Sequence, residues 1–202
     1  MSYLHTVHDF KINFPTNIHI VGEQNSGKSY FVIKLLNEIS VLANYRPLGV
    51  LYFTNKNDEN TQMLEKSGVK VKIGIDEDAI GHVLSENLVI FDDVIENSIH
   101  FEKLLRLRRY STSYIIISKN IIKRAFDCSS DIVLMRGVEA QDMEFMSEKL
   151  PLRLSYLNDA YKIATSLKYN YLMIMRYATK YSPVLRVNIF YERDMDEKYI
   201  KS

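Results

Sequence analysis

Two stretches of the chain carry residue types that do phosphate chemistry. Residues 22 to 29 read GEQNSGKS, a glycine, four residues, then Gly-Lys-Ser. Glycines at 22 and 27 let the backbone turn sharply and aim its N–H groups inward, where they can hold phosphate oxygens. Lys28 is placed to reach the β- and γ-phosphates, and the Ser29 hydroxyl to complete the shell of a magnesium ion. The predicted nucleotide-binding set is Gly22, Glu23, Gln24, Asn25, Ser26, Gly27, Lys28, Ser29 and Tyr30. The second stretch, LVIFDDV (Leu88 to Val94), is four apolar residues ending in two acids. A carboxylate at the tip of a buried strand holds magnesium, which assigns Asp92 as a metal ligand. The acid after it can take a proton from an attacking water, so Asp93 is the candidate general base. The bland alternative, that the two acids only cap a following helix, does not require an apolar strand ahead of them.

These residues need particular elements to position them, and the flanking sequence supplies them. NIHIV (Asn17 to Val21) is a short apolar run of strand type. After the loop, Val32, Leu35, Leu36, Ile39, Leu42 and Ala43 recur at helical spacing, giving one apolar face to a helix over 28–43. The positive end of that helix points at the bound phosphates. Further along, strands are predicted at 50–53, near 69–72, and at 88–91, 114–117, 132–135, 171–175 and 184–190. Helices are predicted at 61–66, 77–84, 98–110, 139–149 and 155–167. Apolar strands alternating with helices predict an α/β fold with a mainly parallel sheet flanked by helices. A turn at Ser182-Pro183 would make the last two strands a C-terminal hairpin. With 202 residues the expectation is one P-loop NTPase domain over residues 1–202.

Composition removes several classes. The chain is 47% apolar and 25% charged, a globular balance, and no run approaches the roughly 20 apolar residues of a membrane helix. The N-terminal MSYLHTVHDF lacks the features of a signal peptide. The single cysteine, Cys128, leaves no internal disulfide and fits a reducing, cytoplasmic setting; its context, FDCSSD, offers it no catalytic partner. The five histidines lack metal-ligand spacing. A net charge of +1 is not that of a polycation, yet Phe101 to Arg124 holds seven Lys/Arg against one acid. That run is either a solvated face or a phosphate-contacting surface. Asn55-Lys56-Asn57-Asp58 reads Asn-Lys-x-Asp but comes too early, ahead of the acid-tipped strand, to read guanine, and no such stretch follows a later strand, so a GTPase is not expected.

Taken together, the loop, LVIFDDV, FEKLLRLRRYSTSYIIISKN and DIVLMRGVEAQDMEFMSEKL resemble the genome-packaging ATPases of poxviruses and other double-stranded DNA viruses, within the FtsK/HerA superfamily of DNA-pumping motors. The resemblance spans about Phe10 to Leu150. It implies a RecA-like fold, ATP with Mg2+, and translocation of double-stranded DNA without sequence preference. It further implies a homo-oligomeric ring of five or six subunits, a capsid or portal-vertex partner, and action in the host cytoplasm or viral factory or on the virion.

The family's Arg-His-Tyr is matched by Arg108-Arg109-Tyr110, which makes Arg108 or Arg109 the arginine that completes a neighbour's site. Its strand-tip sensor glutamine falls on Lys119, followed by Asn120, and either is the sensor. A further family arginine falls on Asp127, with Arg124 out of register. The rival readings are a cellular or plasmid helicase or conjugation motor, a P-loop small-molecule kinase, and a nucleotide-binding structural protein.

Overall fold

The computed structural model describes residues 15–42, 49–75, 88–93, 112–166, 170–176 and 184–187. Among them are eight strands and five helices. The predicted helices at 77–84 and 98–110, and with them Arg108 and Arg109, lie outside the described residues. By packing, the chain divides into two bodies. One is built from Ile20–Lys28 and the described residues from Lys119 onward; the other from the described residues up to His19 and from Ser29 to Ser118.

In the second body, β2 (Val50–Thr54), β3 (Lys70–Ile73), β4 (Leu88–Asp92) and β5 (Ser113–Ser118) lie in the order β3-β2-β4-β5, every neighbouring pair parallel. β4 and β5 are buried along their whole length, which is why LVIF and YIII read as unbroken apolar runs rather than alternating ones. The edge strand β3 is mostly exposed and carries Lys70 and Lys72, charges that oppose edge-to-edge pairing. Phe53 stacks on Phe91 with ring centroids 5.3 Å apart, and Phe91 on Tyr114 at 6.0 Å. Each such pair adds about 0.5–1.5 kcal/mol beyond its buried area, so β2 and β5 brace the acid-bearing strand from both sides. Helix α1 (Lys28–Leu42) buries Phe31, Val32 and Leu35. Helix α2 (Glu59–Lys66) starts on a capping box, with the Asp58 carboxylate accepting from the N–H groups of Asn60 and Thr61.

The first half of β1 (Asn17–Val21) belongs to that body. Tyr114 N–H donates to Thr16 O and to Asn17 Oδ1, each at 3.2 Å, which ties β1 to β5. Its second half belongs to the other body, where Val21 O accepts from Met135 N–H at 2.8 Å. There the order is β1-β6-β7-β8, with β6 (Asp131–Leu134), β7 (Leu172–Met175) and β8 (Val184–Val187). The β7–β8 pair is the expected C-terminal hairpin. The β6–β7 pair is also antiparallel, although two helices, α4 (Ala140–Lys149) and α5 (Leu154–Ala164), separate the strands in sequence. The core of this body gathers Val21, Phe126, Leu134, Met146, Leu157 and Leu172 among others.

A short helix, α3 (Lys123–Cys128), stands where no helix is expected from sequence. It buries Ala125 and Phe126. Arg176 donates to Phe126 O and Ser129 O and lays its guanidinium over the Phe126 ring, so a cation meets the carbonyls at the helix C-terminus.

Candidate functional site

The glycine loop leaves β1 at Gly22 and enters α1 at Lys28. Gly22 is buried, and a Cβ there would stand 2.6 Å from Met135 Cβ and 3.1 Å from Arg136 O. Only glycine fits that approach. Gly27 has φ +100° and Asn25 φ +63°, the left-handed turns that fold the loop back on itself. Lys28 is 7% exposed, and its ammonium donates to Gly22 O at 2.7 Å and Glu23 O at 2.9 Å. The ammonium is therefore held inside the loop. Ser26 is buried with its hydroxyl oxygen lacking a partner among the described residues. Glu23, Gln24, Asn25 and Tyr30 are exposed, Tyr30 at 61%.

A neighbouring turn, missed in the sequence reading, supports the loop from the side. Glu23 N–H donates to Arg136 O at 2.9 Å, and the Arg136 guanidinium pairs with the Glu23 carboxylate at 3.6 Å. Gly137 follows at φ +81°, with Glu23 side-chain atoms 2.5 Å from where a Cβ would stand. Tyr161 of α5 fixes this turn by donating to Met135 O at 2.9 Å and accepting from Val138 N–H at 3.0 Å. The sequence signal was present: Arg136-Gly137 follows a strand as a turn, but nothing in it names the loop as its neighbour.

In the other body, the Ser29 hydroxyl donates to Asp92 Oδ2 at 2.9 Å, and the Tyr52 hydroxyl to the same oxygen at 2.5 Å. Ser29 and Asp92, the two expected metal ligands, are thus in contact across 63 residues of sequence. Asp92 is 3% exposed, and its Oδ1 has no hydrogen-bond partner among the described residues. Burial pushes its carboxyl above the usual carboxylate range; the Tyr52 and Ser29 hydroxyls pull it back, Asp93 pushes it further up, and Lys56 pulls it down. Burial, then the Asp92 charge, raises Tyr52, so its phenol remains a donor. A buried carboxylate oxygen with no partner, next to a serine hydroxyl, suits a hard divalent cation such as magnesium, which takes oxygen ligands.

Asp93 stands at φ +54°, and Asn25 is the other non-glycine residue with positive φ among those described. Both lie in the segments singled out for chemistry. Strained backbone of this kind persists where surrounding contacts fix it. Here Asp93 N–H donates to Ile117 O at 3.2 Å, and Asp93 O accepts from the Asn55 amide at 3.1 Å. The Asp93 carboxylate is exposed and pairs with Lys56 at 3.5 Å. Asn55 and Lys56, set aside above as a guanine-reading stretch because they come too early, instead hold the candidate base.

At the end of β5, Lys119 is exposed and pairs with Glu139 at 3.7 Å, while Asn120 is half-buried. Asp142 accepts from Ile121 N–H at 3.0 Å, which fastens the segment after Lys119 to α4. Of the basic run, Lys119, Lys123 and Arg124 are exposed, and Lys123 also lies over the Phe145 ring at 5.6 Å. Cys128 is half-buried. No described helix is long and apolar enough to cross a membrane.

A mainly parallel α/β sheet with a glycine loop between its first strand and first helix, and an acid-tipped strand, is the fold of P-loop NTPases. Among solved structures the chain is similar to B204, the DNA-packaging ATPase of Sulfolobus turreted icosahedral virus, at a TM-score of 0.54 and 13% identity over 86% of this chain and 96% of that one. It is likewise similar to the genome-packaging NTPase B204 of Sulfolobus turreted icosahedral virus 2. The sulfate complex gives a TM-score of 0.57 at 14% identity, covering 86% of this chain and 95% of that one. The AMPPCP complex gives 0.54 at 14%, covering 86% and 96%. No protein-family model and no curated protein matches the sequence. At such identities the likeness is one of fold.

Proposed function

We propose that the protein is an ATPase motor that moves double-stranded DNA, of the kind that packages a viral genome into a capsid. The observation that carries the reading is the contact of Ser29, the last residue of the glycine loop motif, with a buried Asp92 whose second oxygen is unpartnered. The fold shared with B204 supports the packaging role.

In this reading the N–H groups of Gly27, Lys28 and Ser29 hold the phosphates, and the Lys28 ammonium exchanges the Gly22 and Glu23 carbonyls for β- and γ-oxygens. Ser29 and Asp92 would hold magnesium, which when bound neutralises charge developing on the phosphate oxygens. Asp93 accepts a proton from the attacking water. The water oxygen bonds to the γ-phosphorus as the bond to the β–γ bridging oxygen breaks, releasing ADP and phosphate. Lys119 or Asn120 senses the γ-phosphate. Arg108 or Arg109 of a neighbouring subunit in a ring meets its charge, as a fixed, always-protonated fork does better than lysine. Lys119, Lys123 and Arg124 are exposed cations that can contact DNA phosphates without reading bases. Docking on a capsid or portal vertex, in the cytoplasm or viral factory, completes the proposal.

The test is ATP turnover with and without duplex DNA across a salt series. Duplex should stimulate turnover, and raising salt from 50 to 200 mM should remove the stimulation steeply, as counterion release requires. Stimulation without salt dependence, or stoichiometric phosphorylation of a small molecule with indifference to DNA, would overturn it.

A further inference from the structure

We infer that Tyr52 is a positioning residue for the metal-holding carboxylate; the inference rests on the ATPase reading above. Tyr52 lies on β2, the strand beside the acidic one. In the parallel register Thr54 sits opposite Asp92 and Tyr52 opposite Ile90, so Tyr52 and Asp92 share a face, two residues apart along the strands. Two residues of strand span about 6.6 Å, roughly the reach of a tyrosine ring and its hydroxyl. The phenol therefore meets the carboxylate end-on, at 2.5 Å from Oδ2. Phe53 and Phe91, on the opposite face, stack at 5.3 Å and hold the two strands in this register. Tyr52 itself is 2% exposed. A packed ring cannot swing its hydroxyl away.

The division of labour between the two donors on Oδ2 follows from their chemistry. Ser29 is at the loop and is the hydroxyl whose oxygen a magnesium ion would recruit, so its bond to Asp92 is tied to the position of the metal. Tyr52 has no such second task. It keeps Oδ2 occupied throughout and leaves Oδ1 as the oxygen that faces the cation. Without Tyr52, the buried carboxylate would be held only by Ser29, a hydroxyl shared with the metal, and would be freer to rotate between orientations. Residues that orient a metal ligand in this way alter metal affinity by about 10- to 100-fold when removed.

The experiment compares wild type with Tyr52→Phe, which keeps the ring and removes the hydroxyl. Binding of a fluorescent, methylanthraniloyl-labelled ATP is measured in EDTA and then during a Mg2+ titration. The expected result is nucleotide affinity in EDTA within about twofold of wild type, with the Mg2+ midpoint raised about 10- to 100-fold. A Mg2+ midpoint within twofold of wild type would overturn the inference, as would equal weakening with and without metal, which marks a merely structural role. If Tyr52→Phe does not fold, Tyr52→Met, which also lacks the hydroxyl, is read by the same criterion. A wild-type protein that shows no Mg2+-dependent nucleotide binding would instead refute the ATPase reading on which the inference stands.

Discussion

His19 offers a magnitude that can be worked through. It lies in β1, two residues before the strand ends and the loop begins, fully buried, with Nε2 at 2.8 Å from Ser118 Oγ and no partner on Nδ1 among the described residues. Burial lowers its pKa from 6.5 to about 3, so the folded protein keeps the ring neutral. The unfolded chain protonates the same ring near pH 6.5. Between pH 6.5 and about 3, unfolding therefore takes up a proton, and stability falls as pH falls. At about 1.36 kcal/mol per pH unit, the loss from His19 by pH 5 is roughly 2 kcal/mol. Asp92 and Asp142, both raised chiefly by burial, act in the opposite direction, because a carboxyl with a raised folded pKa binds its proton first in the folded state. A variant isolates the histidine: His19→Gln keeps an amide within reach of Ser118 and does not titrate. Urea unfolding at pH 8, 7, 6 and 5 should show the wild type losing about 2 kcal/mol more than His19→Gln between the ends of the series. Parallel curves would refute the reasoning, since they would mean that the folded protein protonates His19 as readily as the unfolded chain does.

Asp93→Asn should bind ATP with near wild-type affinity and hydrolyse it about 10²- to 10⁴-fold more slowly, because Asp92 and Ser29 remain and only the base is lost; unchanged single-turnover rates would place the base elsewhere. Gly137→Ala puts a Cβ into the Glu23 side chain at a φ of +81°. It should destabilise the fold by about 1–3 kcal/mol in urea unfolding and weaken ATP binding through the displaced loop; a variant equal to wild type in both would show that the turn yields without cost. Mixing Arg108→Ala with Lys28→Ala subunits should restore part of the activity that each lacks, since a mixed ring contains interfaces pairing an intact loop with an intact arginine; no recovery where rings form would remove Arg108 from the site.

The parts of this molecule legible in its sequence are those where one element declares itself. The strand–loop–helix from Asn17 to Leu42 is announced by its glycines and helical periodicity, and β4 by an apolar run ending in acids. What escaped were contacts set by tertiary neighbours. Tyr52 within VLYFT reads as one more apolar strand residue, because its hydrogen bond is made to a residue 40 positions away. Nothing around Asn55 and Lys56 names Asp93 as their partner, which is fixed by the parallel pairing of β2 with β4. Helix α3 is six residues long, too short for periodicity to register, and is closed by Arg176 from a distant strand end. The antiparallel β6–β7 pairing runs against the expectation that helix-separated strands lie parallel; two intervening helices let the chain return in either direction.

Phosphate release from Mg2+-ATP by wild type and by Lys28→Ala, at matched concentration with duplex DNA present, is the most direct test of the ATPase reading. The wild type should release phosphate continuously, and the variant at background, because the charge on the β- and γ-phosphates is then uncompensated at the loop. Equal release from both proteins, or none from a folded wild type, would contradict it.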